Sequence, residues 1–208
     1  MRHLTLVLTL FFSSFISFSQ DYSVRFLDIS DGLSNNSITT IYQDKEGYMW
    51  FGTYDGLNRY DGYTFKIFRN EINNENSLSN NTIYTLDGDS NRNIWIGGNK
   101  GASVYDKSKA LFYQVKYKLK EDGSSLILKN AVHQIKAVSA DLVVLATQNA
   151  GLLVFENGSF VGKTIPMTKL KNPYNYDVLG VQKDKKGNGL WLYVRDLGVC
   201  YYSFILKK

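Results

Sequence analysis

The feature that most constrains this chain is that it repeats itself. Leu33-Ser34-Asn35-Asn36-Ser37-Ile38 returns as Leu78-Ser79-Asn80-Asn81-Thr82-Ile83, displaced by 45 positions. The same displacement carries Asp44 to Asp89, Trp50 to Trp95, Gly52 to Gly97, Gly56 to Gly101, Tyr60 to Tyr105 and Asp61 to Asp106. A third, weaker copy has Val132 and Ile135, then Leu145-Ala146-Thr147 where the earlier copies have Trp-Phe-Gly or Trp-Ile-Gly, then Gly151, Leu152 and Phe155. A fourth has Val178, Val181, Asp184, Gly187, Trp191, Gly198 and Tyr201. The marker glycines Gly56, Gly101, Gly151 and Gly198 stand 45, 50 and 47 apart. A period in the mid-forties built from short strands is the signature of propeller blades.

Within one copy, alternation and turn residues place four strands. Residues 38–43 alternate and end at the turn Asp44-Lys45-Glu46-Gly47, and residues 48–53 follow. A tight turn at Tyr54-Asp55-Gly56 leads to residues 57–60, and Asp61-Gly62 turns the chain into residues 63–68. Such a meander cannot bury both faces alone, so it needs a neighbouring blade on each side. The repeated residues then take scaffold roles. Trp50 and Trp95 fill the space between sheets, Gly52 and Gly97 allow close backbone approach, and Gly56 and Gly101 permit positive φ. The predicted fold is all-β, about four four-stranded blades at roughly 30–70, 75–115, 127–162 and 174–208, forming an incomplete propeller.

Composition agrees. With 15 Tyr, 12 Phe and 3 Trp in a chain 44% hydrophobic and 21% charged, disorder and heptad coiled coils are excluded. Only 2 prolines accompany 17 glycines, so turns rest on Gly and Asn. A single cysteine, Cys200, excludes an intrachain disulfide and a thiolate zinc site, and two histidines, His3 and His133, leave little for metal or acid–base chemistry.

The amino terminus has its own grammar. Arg2 and His3 precede an apolar run from Leu4 to Ile16, and Ser17-Phe18-Ser19 supplies small residues for cleavage before Gln20. This reads as a secretory signal peptide over 1–19, its run too short to span a bilayer comfortably, with 20–208 as the exported part. The formal charge of +5 falls to +4 with Arg2 removed. The lysines are scattered: Lys116, Lys118 and Lys120 alternate along a strand with a solvated face, and Lys183, Lys185 and Lys186 sit in a turn, which argues against a nucleic-acid surface.

The phrases from Asp44 through Trp50-Phe51-Gly52-Thr53-Tyr54-Asp55-Gly56-Leu57 to Asp61, and from Asn91 through Trp95-Ile96-Gly97 to Gly98, resemble two-component regulator propeller repeats. The opening Asp31-Gly32-Leu33-Ser34-Asn35-Asn36-Ser37 resembles the entry to the first blade of that family. The resemblance implies the periplasmic half of a hybrid two-component sensor histidine kinase that detects polysaccharide fragments. In that family, large propellers are followed by a β-sandwich, a membrane helix, a kinase, a receiver and a DNA-binding domain. Those later parts are missing here, and the fourth copy stops short of a last strand. The expectation is therefore a truncated product or detached fragment, against a complete small propeller. Residues 22–29 are expected to form a strand that completes a last blade.

The remaining constellations have plain readings. Asp87, Asp89 and Asn91 alternate like the start of a calcium loop, but Arg92 stands where the loop needs Gly and Gly98 where it needs Glu, so a hairpin turn is the reading. Asn35-Asn36-Ser37, Asn80-Asn81-Thr82 and Asn157-Gly158-Ser159 match glycosylation sequons, the first two better explained as repeated turn chemistry. His133 lacks a carboxylate neighbour in sequence and reads as structural, and Cys200 as a small buried side chain. Tyr54, Tyr63 and Tyr113, in or near turns, offer rings on which sugars could stack, each also able to pack on the next blade.

Three functions compete. The first is a ligand-sensing or interaction module, not an enzyme, whose partner is a glycan fragment, a second copy or another propeller chain. The second is a free-standing exported glycan- or peptide-binding propeller, and the third a propeller lyase, which would need clustered acid–base residues. No catalytic residue, metal ligand or cofactor is assigned. The structural repeat set is Asp44, Trp50, Gly52, Gly56, Asp89, Trp95, Gly97, Gly101, Gly151, Trp191 and Gly198.

Overall fold

The computed structural model describes residues 23–120 and 123–204. The expected signal segment, 1–19, lies outside the described residues. Alternating apolar positions and Gly- or Asp-led turns produce antiparallel hairpins throughout. Blade 1 is β1 (Ile38–Gln43), β2 (Met49–Thr53), β3 (Gly56–Tyr60) and β4 (Phe65–Phe68), paired in chain order. Blade 2 repeats it with β5 (Ile83–Gly88), β6 (Ile94–Gly98), β7 (Gly101–Asp106) and β8 (Leu111–Gln114). After β9 (Lys116–Lys118) and β10 (Leu126–Ile127), blade 3 is β11 (Val132–Ser139), β12 (Leu142–Thr147), β13 (Leu152–Glu156) and β14 (Val161–Thr164). Blade 4 comprises β15 (Val178–Lys183), β16 (Gly189–Val194) and β17 (Gly198–Ser203). The chain is all-β, a run of propeller blades without ring closure among the described residues.

Each first strand carries the same irregularity. The register to the second strand slips between Ile38 and Thr40, Ile83 and Thr85, Val132 and Gln134, and between Val178 and Gly180. A bulge at a constant place bends the strand and strengthens its twist, and its recurrence gives every blade the same curvature.

The hydrophobic core is divided among the blade interfaces. Because side chains alternate across a strand, each sheet has one face toward the blade before it and one toward the blade after it. Trp50 and Leu57 of blade 1 pack with Leu86, Ile94, Ile96 and Tyr105 of blade 2. Trp95, Ala102 and Val104 of blade 2 pack with Val143, Leu145, Leu153 and Phe155 of blade 3. Val144, Ala146, Leu152 and Val154 of blade 3 pack with Val181, Leu190, Leu192 and Val194 of blade 4. Successive first strands, β1 with β5, β5 with β11 and β11 with β15, lie side by side. Among the described residues no blade covers the face of blade 1 that precedes this series or the face of blade 4 that follows it, and Ile41 on one and Trp191 and Tyr193 on the other are exposed.

Three expectations are corrected. In blade 3, Asp87, Trp95 and Gly97 have their counterparts at Lys136, Val144 and Ala146, because Lys136 pairs with Val144 as Asp87 pairs with Trp95. The Trp-Ile-Gly equivalent is thus Val144-Leu145-Ala146, one position before the expected Leu145-Ala146-Thr147. The turn from Thr147 to Gly151 holds three residues where Gly98 to Gly101 holds two, so aligning on the marker glycine moved the strand by one and exchanged its faces. Second, residues 23–28 form no strand; the chain instead makes a 3-10 turn at Ile29–Asp31, capped by Asp28 and closed by Gly32. Third, blade 3 is not confined to the four strands expected over 127–162. β9 adds in parallel to β14 and β10 pairs with β9, making blade 3 a six-stranded sheet. Between them, Val115 donates to the Ala102 carbonyl of blade 2 and accepts from Leu128, so this strap ties blade 2 to blade 3.

Candidate functional site

The repeated polar residues form fixed joints rather than a reactive cluster. Asp44 caps its own turn by accepting from the Glu46 and Tyr48 amides, each at 3.0 Å, and from Trp50 Nε1 at 2.8 Å. Its carboxylate also meets Lys107 Nζ of blade 2 at 2.6 Å, and that ammonium reaches Glu46 as well. Burial opposes the Asp44 charge, but the hydrogen bonds from Lys107 and Trp50 outweigh it and hold the carboxyl below its usual range. Asp89 does the same work in blade 2, accepting from Asn93 and from Trp95 Nε1 at 2.9 Å. With its lone pairs spent on the turn and on Trp95, Asp89 serves a hairpin, and Asp87 accepts from the Ala137 amide of blade 3 at 2.8 Å. Asn35 and Asn80 each accept from the amide two residues on, Ser37 and Thr82, which accounts for the repeated asparagine as turn chemistry.

The marker glycines do more than turn the chain. Gly56, Gly101, Gly151 and Gly198 all have positive φ, from +72° to +108°. The first three also donate their amide to the next blade, at the residue two positions before its first strand: Asn81, Asn130 and Tyr176. Side chains on the first strands add a second link. Thr85 Oγ1 accepts from the Ile135 amide and Gln134 Oε1 from the Val181 amide, the same position one blade later.

A cavity of about 1090 Å³ lies between residues of blades 3 and 4. Its lining includes Asp141, Glu156 and Asn157 from the turns and strand ends of blade 3, Lys163 to Pro166, and Tyr174, Tyr202 and Phe204, together with Lys120. Lys163 and Glu156 pair at 3.0 Å across the rim. Burial pushes the Tyr202 phenol up, with Lys163 opposing and Glu156 reinforcing the shift, so this ring presents a neutral hydroxyl. Thr164 Oγ1 is buried there with no hydrogen-bond partner among the described residues. The arrangement offers flat rings beside charged and hydroxyl groups, which suits a polar, partly apolar-faced ligand of moderate size.

None of the three tyrosines singled out in the sequence lines this cleft. Tyr54 and Tyr63 are exposed in the turns that flank β3, one at each end of it. Tyr113 lies in β8 against Phe160 of blade 3, ring centroids 5.5 Å apart. His133 is on β11, its Nε2 buried without a partner among the described residues. Cys200 is half-buried and packs beside the blade 3–4 core. Among the described residues no group of three His, Cys, Asp or Glu could hold a metal ion. Tyr174 and Tyr202 escaped the sequence reading because nothing local marks them; they meet only when blade 4 docks.

Residues 32–55 and 77–100 match the model of the two component regulator propeller. Over 40 residues the chain is 62% identical to a histidine kinase of Formosa agariphila, a stretch that is 19% of this chain and 3% of that protein. The extracellular domain of a one component system from B. thetaiotaomicron superposes with a TM-score of 0.66 at 19% identity, over 89% of this chain and 26% of that one. The extracellular domain of a hybrid two component system from the same organism gives 0.51 at 20% identity, over 90% of this chain and 31% of that one. The chain thus spans under a third of these relatives, and at such identities the likeness is one of fold.

Proposed function

From the two-component regulator propeller repeats of blades 1 and 2, we infer that this chain is a ligand-sensing module of a periplasmic sensor region. Its partner in this reading is a polysaccharide-derived fragment, and its kinase output lies elsewhere in the signalling protein. The observation that carries the reading is the repeat itself, on a fold shared with extracellular domains of a one component and a hybrid two component system. The blade 3–4 cleft is the binding place. Tyr174 and Tyr202 can lie against the apolar face of a sugar ring, while Asp141, Glu156 and Lys163 address its hydroxyls. Binding signals by favouring one arrangement of sensor subunits over another. No catalysis is proposed, since Asp44 and Asp89 are committed to turn amides and indole N–H groups.

Calorimetric titration of the chain with a panel of soluble oligosaccharides tests this. At least one is expected to bind, and Tyr174→Ala and Asp141→Ala are each expected to weaken it tenfold or more at unchanged melting temperature. Binding that both variants leave intact would remove the cleft from the proposal. A panel without a binder would remove the glycan.

A further inference from the structure

Blade 1 carries a cation where blades 2 and 3 carry valine. Trp50, Arg59 and Lys66 stand opposite one another on β2, β3 and β4, so their side chains share one face, and Trp50 identifies that face as the one packed against blade 2. In blade 2 the same row is Trp95, Val104 and Tyr113, and in blade 3 it is Val144, Val154 and Lys163. Val104 and Val154 are 0% and 5% exposed, each inside an interface core. Arg59 thus brings a half-buried guanidinium to a place that the other blades fill with an aliphatic side chain.

Rings hold this cation, and no acceptor does. Arg59 Cζ lies 4.6 Å from the Tyr48 ring centroid and 5.9 Å from that of Trp50, and Lys66 Nζ lies 5.1 Å from the Phe68 ring centroid. Among the described residues neither Arg59 nor Lys66 has an ion pair or a side-chain hydrogen bond. The acidic residues of blade 1 are all engaged elsewhere. Asp44 and Glu46 meet Lys107, Asp55 meets Arg69, and Asp61 accepts from the Tyr63 and Thr64 amides. Lys163, the blade 3 counterpart of Lys66, does have a carboxylate, that of Glu156. Like charges directly opposite on paired strands repel, and no carboxylate among the described residues offsets this pair.

We infer that Arg59 and Lys66 form a subsite for an oxyanion, a carboxylate or sulfate group, beside the interface of blades 1 and 2. A guanidinium offers two parallel N–H donors to such a group, the neighbouring ammonium adds its own, and an anion bound by both replaces their repulsion with attraction. The Tyr48 and Trp50 rings steady the guanidinium by cation–π contact, so its donors are held in place before the anion arrives. The residues involved all lie outside the cleft of blades 3 and 4, so the inference stands or falls separately from the sensor reading.

Calorimetric titration of the chain at fixed ionic strength, with sodium sulfate and oligogalacturonate as probes and sodium chloride as the balance, tests it. At least one probe is expected to bind, and Arg59→Gln and Lys66→Gln are each expected to weaken it fivefold or more. Arg59→Val, which carries the side chain of blades 2 and 3, is the second variant and should keep the melting temperature while losing the same affinity. An oligomer that binds at least tenfold more tightly than sulfate would assign the oxyanion to an acidic saccharide; a smaller difference would assign it to a free ion, and either supports the subsite. Tyr174→Ala, in the other cleft, should leave these affinities unchanged. Neither probe binding, or binding that any one of the Arg59 and Lys66 variants weakens less than fivefold, would overturn the inference.

Discussion

Replacing Asp44 with alanine tests whether the repeated aspartate is a structural joint, and the cost can be built bond by bond. The Trp50 ring is fully buried, so its Nε1 loses its acceptor without access to water, a penalty of about 1–3 kcal/mol. The Glu46 and Tyr48 amides lie in an open turn and can rehydrate, so they add about 0.5–1 kcal/mol between them. Lys107 keeps Glu46 and loses only one of its two carboxylates, so this largely buried contact adds about 0.5–1.5 kcal/mol. The total is about 3 kcal/mol, which for a chain of this length lowers the melting temperature by roughly 6–12 °C. Asp44→Asn keeps an acceptor for Trp50 and the turn, so about 1 kcal/mol is expected, and Lys107→Met should cost a similar amount without adding to it. Urea unfolding and thermal melts of the unaltered chain, the three single variants and the Asp44→Asn/Lys107→Met double variant supply the comparison. If Asp44→Ala lay within about 1 kcal/mol of the unaltered chain, or if Asp44→Asn cost as much as Asp44→Ala, the bond-by-bond account would be wrong.

Trp95→Ala should cost about 3–5 kcal/mol by leaving a cavity between blades 2 and 3, whereas Trp191→Ala, on an uncovered face, should cost under about 1 kcal/mol; chemical unfolding compares them directly. Tyr176 donates to the Ile165 carbonyl and accepts from the Leu152 amide, so Tyr176→Phe should lose about 1–2 kcal/mol. Its phenol is pushed up to about 12 by burial, and an ultraviolet titration should show it ionising last, with its contribution to stability complete below about pH 10 and lost as pH rises toward 12. Acid should act in the opposite sense. Asp106 is held at about 2, chiefly by the Ser108 hydroxyl with Lys109 assisting, and Asp44 is also depressed, so stability is complete above the ordinary value of 3.8 and declines as pH falls toward 2. Melting temperatures recorded between pH 7 and 2 should stay flat at first and fall only in that acid window.

The clarity of the repeat in the sequence varied with the strength of its anchors. In blades 1 and 2 the turn aspartate, the tryptophan and the marker glycine all recur at one spacing, and together they locate strands, turns and buried rings to within a residue or two. Blade 3 has no tryptophan, and its longer turn separates the glycine from the strand by one more residue. A period-two strand read with a one-residue error exchanges its faces, so Leu145 was expected where Val144 stands. The amides of Gly56, Gly101 and Gly151 were read as turn makers alone, because their acceptors lie in the next blade, 25 to 29 residues away along the chain. The cleft was illegible for the same reason: Asp141, Glu156, Tyr174 and Tyr202 belong to four separate turns and strand ends.

The sequence by itself determined the unit. A 45-residue displacement, alternating apolar residues and aspartate- or glycine-led turns leave a short antiparallel meander that must stack on its own kind, because one such sheet has two apolar faces and no other layer to cover them. Only the tertiary structure decided which faces are covered. Whether an aromatic ring fills an interface, as Trp95 does, or stands in solvent, as Trp191 does, depends on what the neighbouring blade presents. In a covered interface that depends on side-chain sizes that meet only across adjacent blades, as where Ile83 lies against Gly52. Local pattern sets strand, turn and period because those arise from neighbours in the chain. Packing sets interface and cleft because those arise from residues that the chain brings together only when it folds.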